Sequence, residues 1–480
     1  MKLQNLNNYS FYIRFIAPIC LSLASVINAH AVVRENPLSF PGADRAKIGI
    51  YIQDLSSGEV LYDVNGLLPL TPASITKSLT AASILTLRDS SYRFSTDVVL
   101  FGKMADGNLK GNVVVRCVGD PTVESSHFKN TAGFADSIAA AIQSLGIKEI
   151  QGTVIIDESS VPYDIEPLGW DDDDIVWPYG ANHFGANYKD NKFIFSYPSK
   201  KSTPHMPGLT SSHTPANRSL TIDRKRGTSH IVTKGTPRAK GESITISMPH
   251  PAKAMRHEIM QTIRKAGIAI ADEKVEKLAK DETVIYTYYS PTLHEILQSL
   301  MFRSDNMMAE SMLRFIAPGK SRAEAIQTEL EMWELRDIDS EQIVLEDGSG
   351  LSRNDRLTTY FLADVFDWMA SHVKARQYAE LFPKSGKEGT LKGFLRETPL
   401  EGRLALKTGS MKGIQSYAGY LLDDTGLPTH IVIFMINGFT CGRAAVVAQV
   451  ENLLLRTFAP GYVRPVKSTK AATSKKTKRR

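Results

Sequence analysis

The stretch "PLTPASITKSLTAASILTL", residues 69–87, places a serine and a lysine three positions apart at the start of a predicted helix. Pro72 suits the entry to a helix, and the apolar residues after it recur at helical intervals. Ser74 is therefore predicted in the first turn, with Lys77 one turn later on the same face. Unpaired N–H groups at a helix start can stabilise an oxyanion, and a lysine in a dry site can act as a base. The stretch predicts a nucleophilic serine.

The same serine–lysine spacing occurs twice more, so spacing alone does not identify a nucleophile. Ser126 and Lys129 follow the turn-rich run "GDPTVES", and Ser371 and Lys374 lie at the end of a charged, arginine-rich helix. Neither of these pairs stands at the start of a helix with an apolar pattern. The local context therefore favours the pair at residues 74–77.

A second candidate group lies in "LHEILQSLMFRSDNMMAESMLRFIA", residues 293–317. The stretch is typical of two helices with an interruption around Asp305, and Ser304 and Asn306 flank that residue. Two residues at this spacing do not share a helical face, but a loop tip can present both side chains. The hydroxyl could relay a proton and the amide could hold a substrate carbonyl. Alternatively, these polar residues only cap the second helix.

A third candidate group lies in "GRLALKTGSMKGIQSYAGYLL", residues 402–422, where a predicted strand opens an antiparallel meander. Gly409 lets the backbone come close to a ligand. Lys407 and Thr408 offer a cation and a hydroxyl to a substrate carboxylate. The N–H group of Ser410 could complete an oxyanion hole. The strand therefore predicts one wall of a binding site.

Residues 1–31 are predicted to be a cleavable export signal. Lys2 and Arg14 give a positive, acid-free start, and the apolar run "FIAPICLSLASVINA" ends in a small-x-small pattern at residues 29–31. This run is shorter than the roughly 20 residues that span a bilayer. We therefore expect export to the periplasm or cell envelope rather than a membrane anchor.

The net charge of +6 does not describe the folded part of the chain. Eight basic residues lie in the tail 464–480, which holds no acid, and two lie in the predicted signal, so the rest carries −4. This balance excludes a basic nucleic-acid-binding domain. The tail has little to bury and is predicted to be disordered, either as a solubilising end or as a contact to anionic envelope surfaces.

The histidine and cysteine spacings predict no metal site and no cofactor. None of the eleven histidines forms a His-x-x-x-His pattern, and no Cys-x-x-Cys occurs.

The order of Ser-x-x-Lys, Ser-x-Asn and Lys-Thr-Gly resembles that of penicillin-binding proteins and serine β-lactamases. A long insert separates the first two elements and contains "GWDDDDIVWPYGANHFGAN", residues 169–187. With "EDGSGLSRNDRLT" at 346–358 and "GKEGTL" at 386–391, the chain resembles the class C low-molecular-mass penicillin-binding proteins. These are the D-alanyl-D-alanine carboxypeptidases and endopeptidases of peptidase family S13.

The resemblance implies an α/β (α+β) fold with a β-lactamase/transpeptidase-like domain, in which helices flank an antiparallel sheet. Residues 32–93 and 284–463 would build this domain. Residues 94–283 would form one or two inserted β-rich domains, between the signal at 1–31 and the tail at 464–480.

The resemblance also implies a mechanism on peptidoglycan stem peptides. Ser74 would attack the carbonyl between two terminal D-alanines, with Lys77 as the base. Ser304 would pass the proton to the leaving amine, Asn306 would hold the peptide, and Lys407 would polarise the site. Water would then hydrolyse the acyl-enzyme, for which no deacylation base is assigned.

Thr408 and Ser410, beside Gly409, would bind the terminal carboxylate of the substrate, and β-lactams would acylate Ser74 as substrate mimics. The alternatives are a β-lactamase or esterase on the same fold, or a non-catalytic envelope-binding protein. The balance between carboxypeptidase and endopeptidase activity stays open.

Family members often act on stems with a diamino acid such as diaminopimelate, whose charged end needs an acid and a base in the protein. Arg353 lies in a loop that the family places beside the active site. Asp171 and Asp172, in an acidic run of the insert, would face it, and Met411 would line the apolar part. Alternatively, the aspartates form a solvated loop and Arg353 braces its own turn.

Overall fold

The computed structural model describes residues 32–237, 241–275 and 281–464. The first strands of the described chain form a β-hairpin whose turn contains Ser56 and Ser57, and Asp54 Oδ1 accepts hydrogen bonds from the N–H groups of both serines. These bonds fix the turn and bring the second strand back beside the first. The first elements are β1 (Lys47–Asp54), β2 (Val60–Val64), a 3₁₀ turn (Ala73–Ile75) and α1 (Thr76–Leu87).

Most of the strands follow α1 and precede the Ser-x-Asn motif. Some of them, such as β10 and β11, alternate buried and less buried side chains, which is typical of sheets with one face on a core. The elements are β3 (Ser95–Ala105), β4 (Asn108–Arg116), α2 (Phe134–Ser144), β5 (Glu149–Ile150), β6 (Val154–Asp157), β7 (Lys192–Ser196), β8 (Lys201–Thr203), β9 (Thr210–Ser219), β10 (Thr221–Arg224), β11 (His230–Thr236), β12 (Ser243–Ser247), α3 (Pro251–Lys265) and β13 (Ala269–Ile270).

The remaining chain contains most of the helices and the three strands that carry and support the Lys-Thr-Gly motif. Its elements are β14 (Glu282–Tyr289), α4 (Leu293–Arg303), α5 (Asn306–Ile316), α6 (Arg322–Glu334), α7 (Thr359–Ser371), α8 (Ala375–Glu380), β15 (Leu404–Met411), β16 (Ile414–Leu422), β17 (Pro428–Asn437) and α9 (Arg443–Phe458).

A five-stranded antiparallel sheet joins the two ends of the described chain in the order β15-β16-β17-β1-β2. In this sheet Lys47 of β1 pairs with Asn437 of β17. Every residue of β16 is buried, because helices cover both faces. One core lies between the sheet and helices α1, α4, α5, α6 and α7, and the other lies beneath α9. The predicted α/β class, an antiparallel sheet flanked by helices, is confirmed.

The region between α1 and α4 has its own apolar core and three sheets. The largest sheet runs β13-β5-β4-β3-β14, with β6 also paired to β4. The two others have the orders β12-β7-β8 and β10-β11-β9. Strand β14 pairs with β3 and its Tyr288 is buried in this core, so β14 packs as part of the insert. The predicted boundary at residue 283 falls within β14, and the domain division stays a prediction.

The predicted signal at residues 1–31 and the tail residues 465–480 lie outside the described residues. In the part that the structure describes, no helix combines the length and the apolar character needed to cross a membrane. Cys117 is buried and Cys441 is half-buried, and both are free thiols.

Candidate active site

The predicted nucleophile lies in a 3₁₀ turn that leads into α1 rather than in the first α-helical turn. Pro72 precedes this turn, and Ala73 has a φ of 52°, in the left-handed region that alanine rarely adopts. The Thr76 hydroxyl donates a hydrogen bond to the Ala73 carbonyl at 3.1 Å, which supports the unusual backbone. Ser74 is half-buried at the cleft, while the residues on either side of it are buried. Such strained positions are concentrated at functional sites.

Lys77 is fully buried directly behind this serine. Its Nζ donates hydrogen bonds to Ser74 Oγ at 3.1 Å, Asn306 Oδ1 at 2.6 Å and the Ser349 carbonyl at 2.5 Å. Burial lowers the pKa of Lys77 to about 8, although nearby carboxylates, Asp347 foremost, oppose the shift. A lysine with this pKa has a sizeable neutral fraction near neutral pH and can accept the Ser74 proton.

Ser304 and Asn306 lie at the junction of two helices, where their side chains point into one site. Ser304 ends α4 in the left-handed conformation, with φ 58° and ψ 42°. Asp305 then caps α5, because its side chain accepts a hydrogen bond from the Met308 N–H at 3.0 Å. The interruption between the helices therefore caps α5 and also brings Ser304 and Asn306 to the two buried lysines. The Asn306 amide completes the junction, donating to the Tyr179 carbonyl at 2.7 Å.

Strand β15 supplies a second buried lysine. Lys407 Nζ donates to Ser304 Oγ at 2.9 Å and to the Thr408 carbonyl at 2.8 Å. Burial lowers the pKa of Lys407 well below its ordinary value, and the nearby charge of Lys77 lowers it further. Lys77 of the Ser-x-x-Lys motif contacts Asn306, and Lys407 of the Lys-Thr-Gly motif contacts Ser304. The Ser-x-Asn motif therefore lies between the two lysines.

Gly409 allows β15 to pass directly beside the nucleophile. A Cβ atom at this position would lie 2.6 Å from the Pro72 carbonyl oxygen and 3.1 Å from the Ser74 nitrogen. Either distance is shorter than a normal contact, so a side chain here would displace the strand or the 3₁₀ turn. The glycine thus sets how closely the strand approaches Ser74.

The three motifs open onto a single cleft of about 470 Å³. Ser74, Ser304, Thr408 and Ser410 all line it, so four of the predicted site residues present hydroxyl groups to one cavity. The other residues that line it are Thr390, Leu391, Gly393, Phe394, Gln415, Tyr417 and Val447.

Two polar residues of the cleft were missed by the sequence analysis. Thr390 Oγ1 accepts a hydrogen bond from Thr408 Oγ1 at 2.9 Å, and Gln415 Oε1 accepts one from Ser410 Oγ at 3.0 Å. Gln415 is the cross-strand partner of Ser410 in the β15–β16 hairpin. Pairing the two strands across their tight turn would have identified it.

The loop after α6 holds the Ser349 carbonyl in place for Lys77. The Asp347 carboxylate accepts hydrogen bonds from the N–H groups of Ser349, Gly350 and Ser352 at 3.1, 2.5 and 2.7 Å. It also accepts one from Nε1 of Trp170, a buried residue of the insert, at 2.7 Å. The insert therefore contributes to the environment of Lys77 through one indole. No role for Asp347 had been predicted from the sequence.

The structure brings together part of the predicted diamino-acid site. Arg353 Nε lies 2.6 Å from Asp171 Oδ2, and both side chains are partly exposed. Asp172 instead pairs with Arg226 at 2.9 Å, with 82% of its side chain exposed. Met411 does not line the 470 Å³ cleft, as the structure describes it, and its carbonyl accepts a hydrogen bond from Arg443.

The two other Ser-x-x-Lys pairs have structural roles. The Ser126 hydroxyl donates to Asp190 Oδ2 at 2.7 Å, and Lys129 is exposed. Lys374 Nζ donates to the carbonyls of Leu85 and Arg88, at the end of α1. Cations in this position satisfy the last carbonyls of a helix.

Comparison with known proteins by sequence and by structure points to one family. The sequence profile of the D-Ala-D-Ala carboxypeptidase 3 (S13) family matches residues 34–453. D-alanyl-D-alanine carboxypeptidase DacB of Haemophilus influenzae is 25% identical, over 90% of this chain and 95% of that protein. The crystal structure of penicillin binding protein 4 (dacB) from the same organism has a TM-score of 0.73 at 24% identity, covering 86% of this chain and 96% of that one.

A second crystal structure of the Haemophilus influenzae protein is complexed with a β-lactam. It has a TM-score of 0.70 at 22% identity and covers 87% of this chain and 100% of that one. These two likenesses show that the chain has the same fold.

Proposed function

The chain belongs to the D-Ala-D-Ala carboxypeptidase (S13) family, and on this premise we propose that it hydrolyses the terminal D-alanyl-D-alanine bond of peptidoglycan stem peptides through an acyl-enzyme on Ser74. The contact between the buried amine of Lys77 and the Ser74 hydroxyl, at 3.1 Å, carries the proposal. It joins a nucleophile to a base whose pKa of about 8 suits proton abstraction near neutral pH.

The proposed steps begin at the contact between Lys77 and Ser74. Neutral Lys77 takes the Ser74 proton while Ser74 Oγ bonds to the carbonyl carbon of the penultimate D-alanine. The C–N bond to the last D-alanine then breaks, and the leaving amine takes the proton of the Ser304 hydroxyl. Ser304 regains a proton from Lys77, and Lys407 holds the Ser304 oxygen throughout by its hydrogen bond at 2.9 Å. Water then cleaves the ester and releases the shortened peptide.

The hydroxyl groups on the opposite wall suit the substrate's terminal carboxylate. Thr408 and Ser410 line the cleft with Ser74. Hydroxyl donors of this kind bind a carboxylate without a further charge. A β-lactam carries a carboxylate at the corresponding position, so we propose that it acylates Ser74 and inhibits the enzyme covalently.

A single product analysis tests the proposed reaction. A stem peptide that ends in D-Ala-D-Ala is incubated with the enzyme, and the products are identified by mass spectrometry. The expected products are free D-alanine and a peptide shortened by one residue, and preincubation with penicillin should prevent their formation. An intact peptide after long incubation with folded enzyme would contradict the proposal.

We further propose that Arg353 and Asp171 bind the charged end of a diamino acid in the stem. Their ion pair supports this, as does Tyr179 nearby in the sequence, whose carbonyl accepts from Asn306. Arg353→Ala should raise KM for a diaminopimelate peptide and leave the rate of penicillin acylation unchanged. An equal change in both would assign Arg353 to the stability of its loop.

Export of the protein and a role for its basic tail complete the proposal. Because the substrate lies in the cell envelope, we propose that residues 1–31 direct export and that residues 464–480 contact anionic envelope surfaces. A chain that lacks 464–480 should sediment less with anionic lipid vesicles at low salt, since surface charge attraction is screened by salt. Equal sedimentation of both chains would support a solubilising tail.

A further inference from the structure

A buried carboxylate to which the proposed reaction assigns no role lies on α5. Glu310 is fully buried, and its position four residues after Asn306 places both side chains on the same face of the helix. Asn306 contacts Lys77 directly, at 2.6 Å. Glu310 therefore lies on the face of α5 that is turned toward the lysine site. Taking such a carboxylate out of water is costly unless partners hold it.

Glu310 holds the main chain of the loop that binds Lys77. Its Oε1 accepts a hydrogen bond from the Gly348 N–H at 3.1 Å. The carbonyl oxygen of Gly348 accepts one from the Thr80 hydroxyl of α1 at 2.9 Å. The next carbonyl along the chain, that of Ser349, accepts the hydrogen bond from Lys77 Nζ. Two side chains from two helices thus fix the peptide groups just before the carbonyl that holds the lysine.

The lack of a side chain at Gly348 lets this loop lie directly on α5. A Cβ atom at this position would lie 2.7 Å from Leu313 Cβ and 3.1 Å from the Ala309 carbonyl oxygen. Both distances are shorter than normal contacts, so a larger residue would push the loop away from Glu310. The close approach that the hydrogen bond needs therefore depends on the glycine.

Arg322, at the start of α6, fixes the other oxygen of the Glu310 carboxylate. Its Nε lies 3.3 Å from Glu310 Oε2, and both residues are buried. The rest of the guanidinium binds the insert, because Nη1 donates to the Ile165 carbonyl at 2.8 Å and Nη2 donates to Asn182 Oδ1 at 2.9 Å. The carboxylate is therefore held through Arg322 by the insert as well as by the helices.

The carboxylate also acts on the charge of Lys77. Among the carboxylates that oppose the lowering of the Lys77 pKa by burial, Glu310 is second only to Asp347. Burial raises the pKa of Glu310 itself to about 7, with Asp347 adding to the shift and Arg322 and Lys77 opposing it. Glu310 is therefore mostly ionised over the range in which Lys77 titrates. The other charged or titratable groups that face this pair are Asp305, Asp355, Glu329, Arg314 and Lys407.

We propose that Glu310, held by Arg322, is a positioning residue for the acylation of Ser74, which fixes the loop against Lys77 and adjusts the charge of that lysine. The inference rests on the proposed function and deepens it, because it names a residue that regulates the proposed base. Glu310 is buried and does not line the cleft as the structure describes it, so it acts only through Lys77 and the loop.

Two substitutions separate the charge of Glu310 from its hydrogen bond to the loop. Glu310→Gln keeps an oxygen that accepts from Gly348 but removes the charge. Glu310→Asp keeps the charge, but its side chain is one methylene shorter and does not reach the same N–H. Acylation by a chromogenic β-lactam is measured by stopped-flow absorbance at pH 7 and pH 9, on either side of the Lys77 pKa of about 8.

The two variants should change different quantities. In Glu310→Gln the ratio of the rate at pH 7 to the rate at pH 9 should rise about fivefold, because a lower lysine pKa leaves more neutral amine at pH 7. The positive charge of Arg322, no longer neutralised by Glu310, acts in the same direction. In Glu310→Asp the ratio should stay near the wild-type value, and the rate at pH 9 should fall about fivefold.

The matched control is Glu329→Gln. Glu329 is also a fully buried carboxylate and contacts α1, where the Ser83 hydroxyl donates to it at 2.8 Å, but it is not among the carboxylates with the largest effect on Lys77. Its ratio should equal that of the wild type. An unchanged ratio in Glu310→Gln, or an equal rise in Glu329→Gln, would overturn the inference. A wild-type rate at pH 9 in Glu310→Asp would overturn it too.

Two further measurements keep the result readable. Circular dichroism shows whether each variant folds, and Glu310→Asp still tests the inference if the glutamine variant does not fold. Release of D-alanine from a D-Ala-D-Ala peptide is followed by mass spectrometry for the wild type. A wild type that is acylated but releases no D-alanine would contradict the proposed function, while the ratios would still decide the role of Glu310.

Discussion

Residues 74–77 and residues 126–129 have the same Ser-x-x-Lys spacing and opposite surroundings. In the first segment the lysine is fully buried and its amine contacts the serine at 3.1 Å. In the second segment the serine donates to Asp190, and the lysine is exposed to solvent. The spacing places two side chains near each other, but burial is what lowers the pKa of Lys77 to about 8, where a base for Ser74 would need it.

Removing each serine should give the largest difference between the two segments. Ser74→Ala should abolish covalent labelling by fluorescent penicillin, because it removes the hydroxyl that contacts the buried amine of Lys77. Ser126→Ala should be labelled like the wild type, since it loses only a structural hydrogen bond. Labelling is read from a denaturing gel, and circular dichroism shows whether each variant folds. Persistent labelling of Ser74→Ala would mean that Ser74 is not the residue that penicillin acylates.

Removing the buried lysine should have the next largest effect. Lys77→Ala should slow acylation by penicillin at least about 100-fold, the usual loss when a general base is removed. The matched control is Lys374→Ala from the third Ser-x-x-Lys pair, whose amine only caps α1. This control should be acylated at the wild-type rate and should unfold at a lower temperature. A similar acylation rate in both variants would mean that Lys77 is not the base.

The pH dependence of acylation tests, without any mutation, whether Lys77 is the base. With its pKa lowered by burial to about 8, Lys77 is half neutral at pH 8 and about 1% neutral at pH 6. The neutral amine is the base, so acylation should fall about fiftyfold from pH 8 to pH 6. Stopped-flow absorbance with a chromogenic β-lactam measures this rate. A rate that is flat over this range would be inconsistent with a lysine base of that pKa.

The smallest predicted effect concerns the insert's contribution to the lysine site. Trp170→Phe removes the hydrogen bond to Asp347, which positions the Ser349 carbonyl against Lys77. Loss of one hydrogen bond to a buried charge should slow acylation about tenfold. Trp177→Phe, in the same segment of the insert, is the control and should retain the wild-type rate. Equal rates in the two variants would show that the lysine site does not depend on this contact.

The residues best predicted from sequence are those in local motifs. Ser74 and Lys77 are one helical turn apart, and Ser304 and Asn306 flank a visible break between two helices, so short-range geometry made them candidates. The order of the three motifs then selected them. Their convergence with Lys407 could be expected only from the order of the motifs in a known family. The structure adds the distances that join them.

Contacts between distant segments were not predictable in the same way. The hydrogen bond from Trp170 to Asp347 depends on how the insert folds back on the catalytic domain, and neither residue's neighbours in sequence indicate it. The 3₁₀ turn at Ser74 was also missed, because it depends on a left-handed Ala73 that no propensity favours. By contrast, Gln415 could have been found by pairing the two strands of a hairpin.

The pairing of β1 with β17 has a consequence for how the enzyme is made. Strand β1 is synthesised near the beginning of the chain, and the strand beside it only near the end. A growing chain that has not reached Pro428 already contains Lys77 and Lys407, yet it lacks the strand that closes the central sheet. Such distant pairing slows folding, because the sheet can close only after nearly the whole chain has been made. The cleft that β15 lines therefore depends on a strand that is among the last parts of the chain to be synthesised.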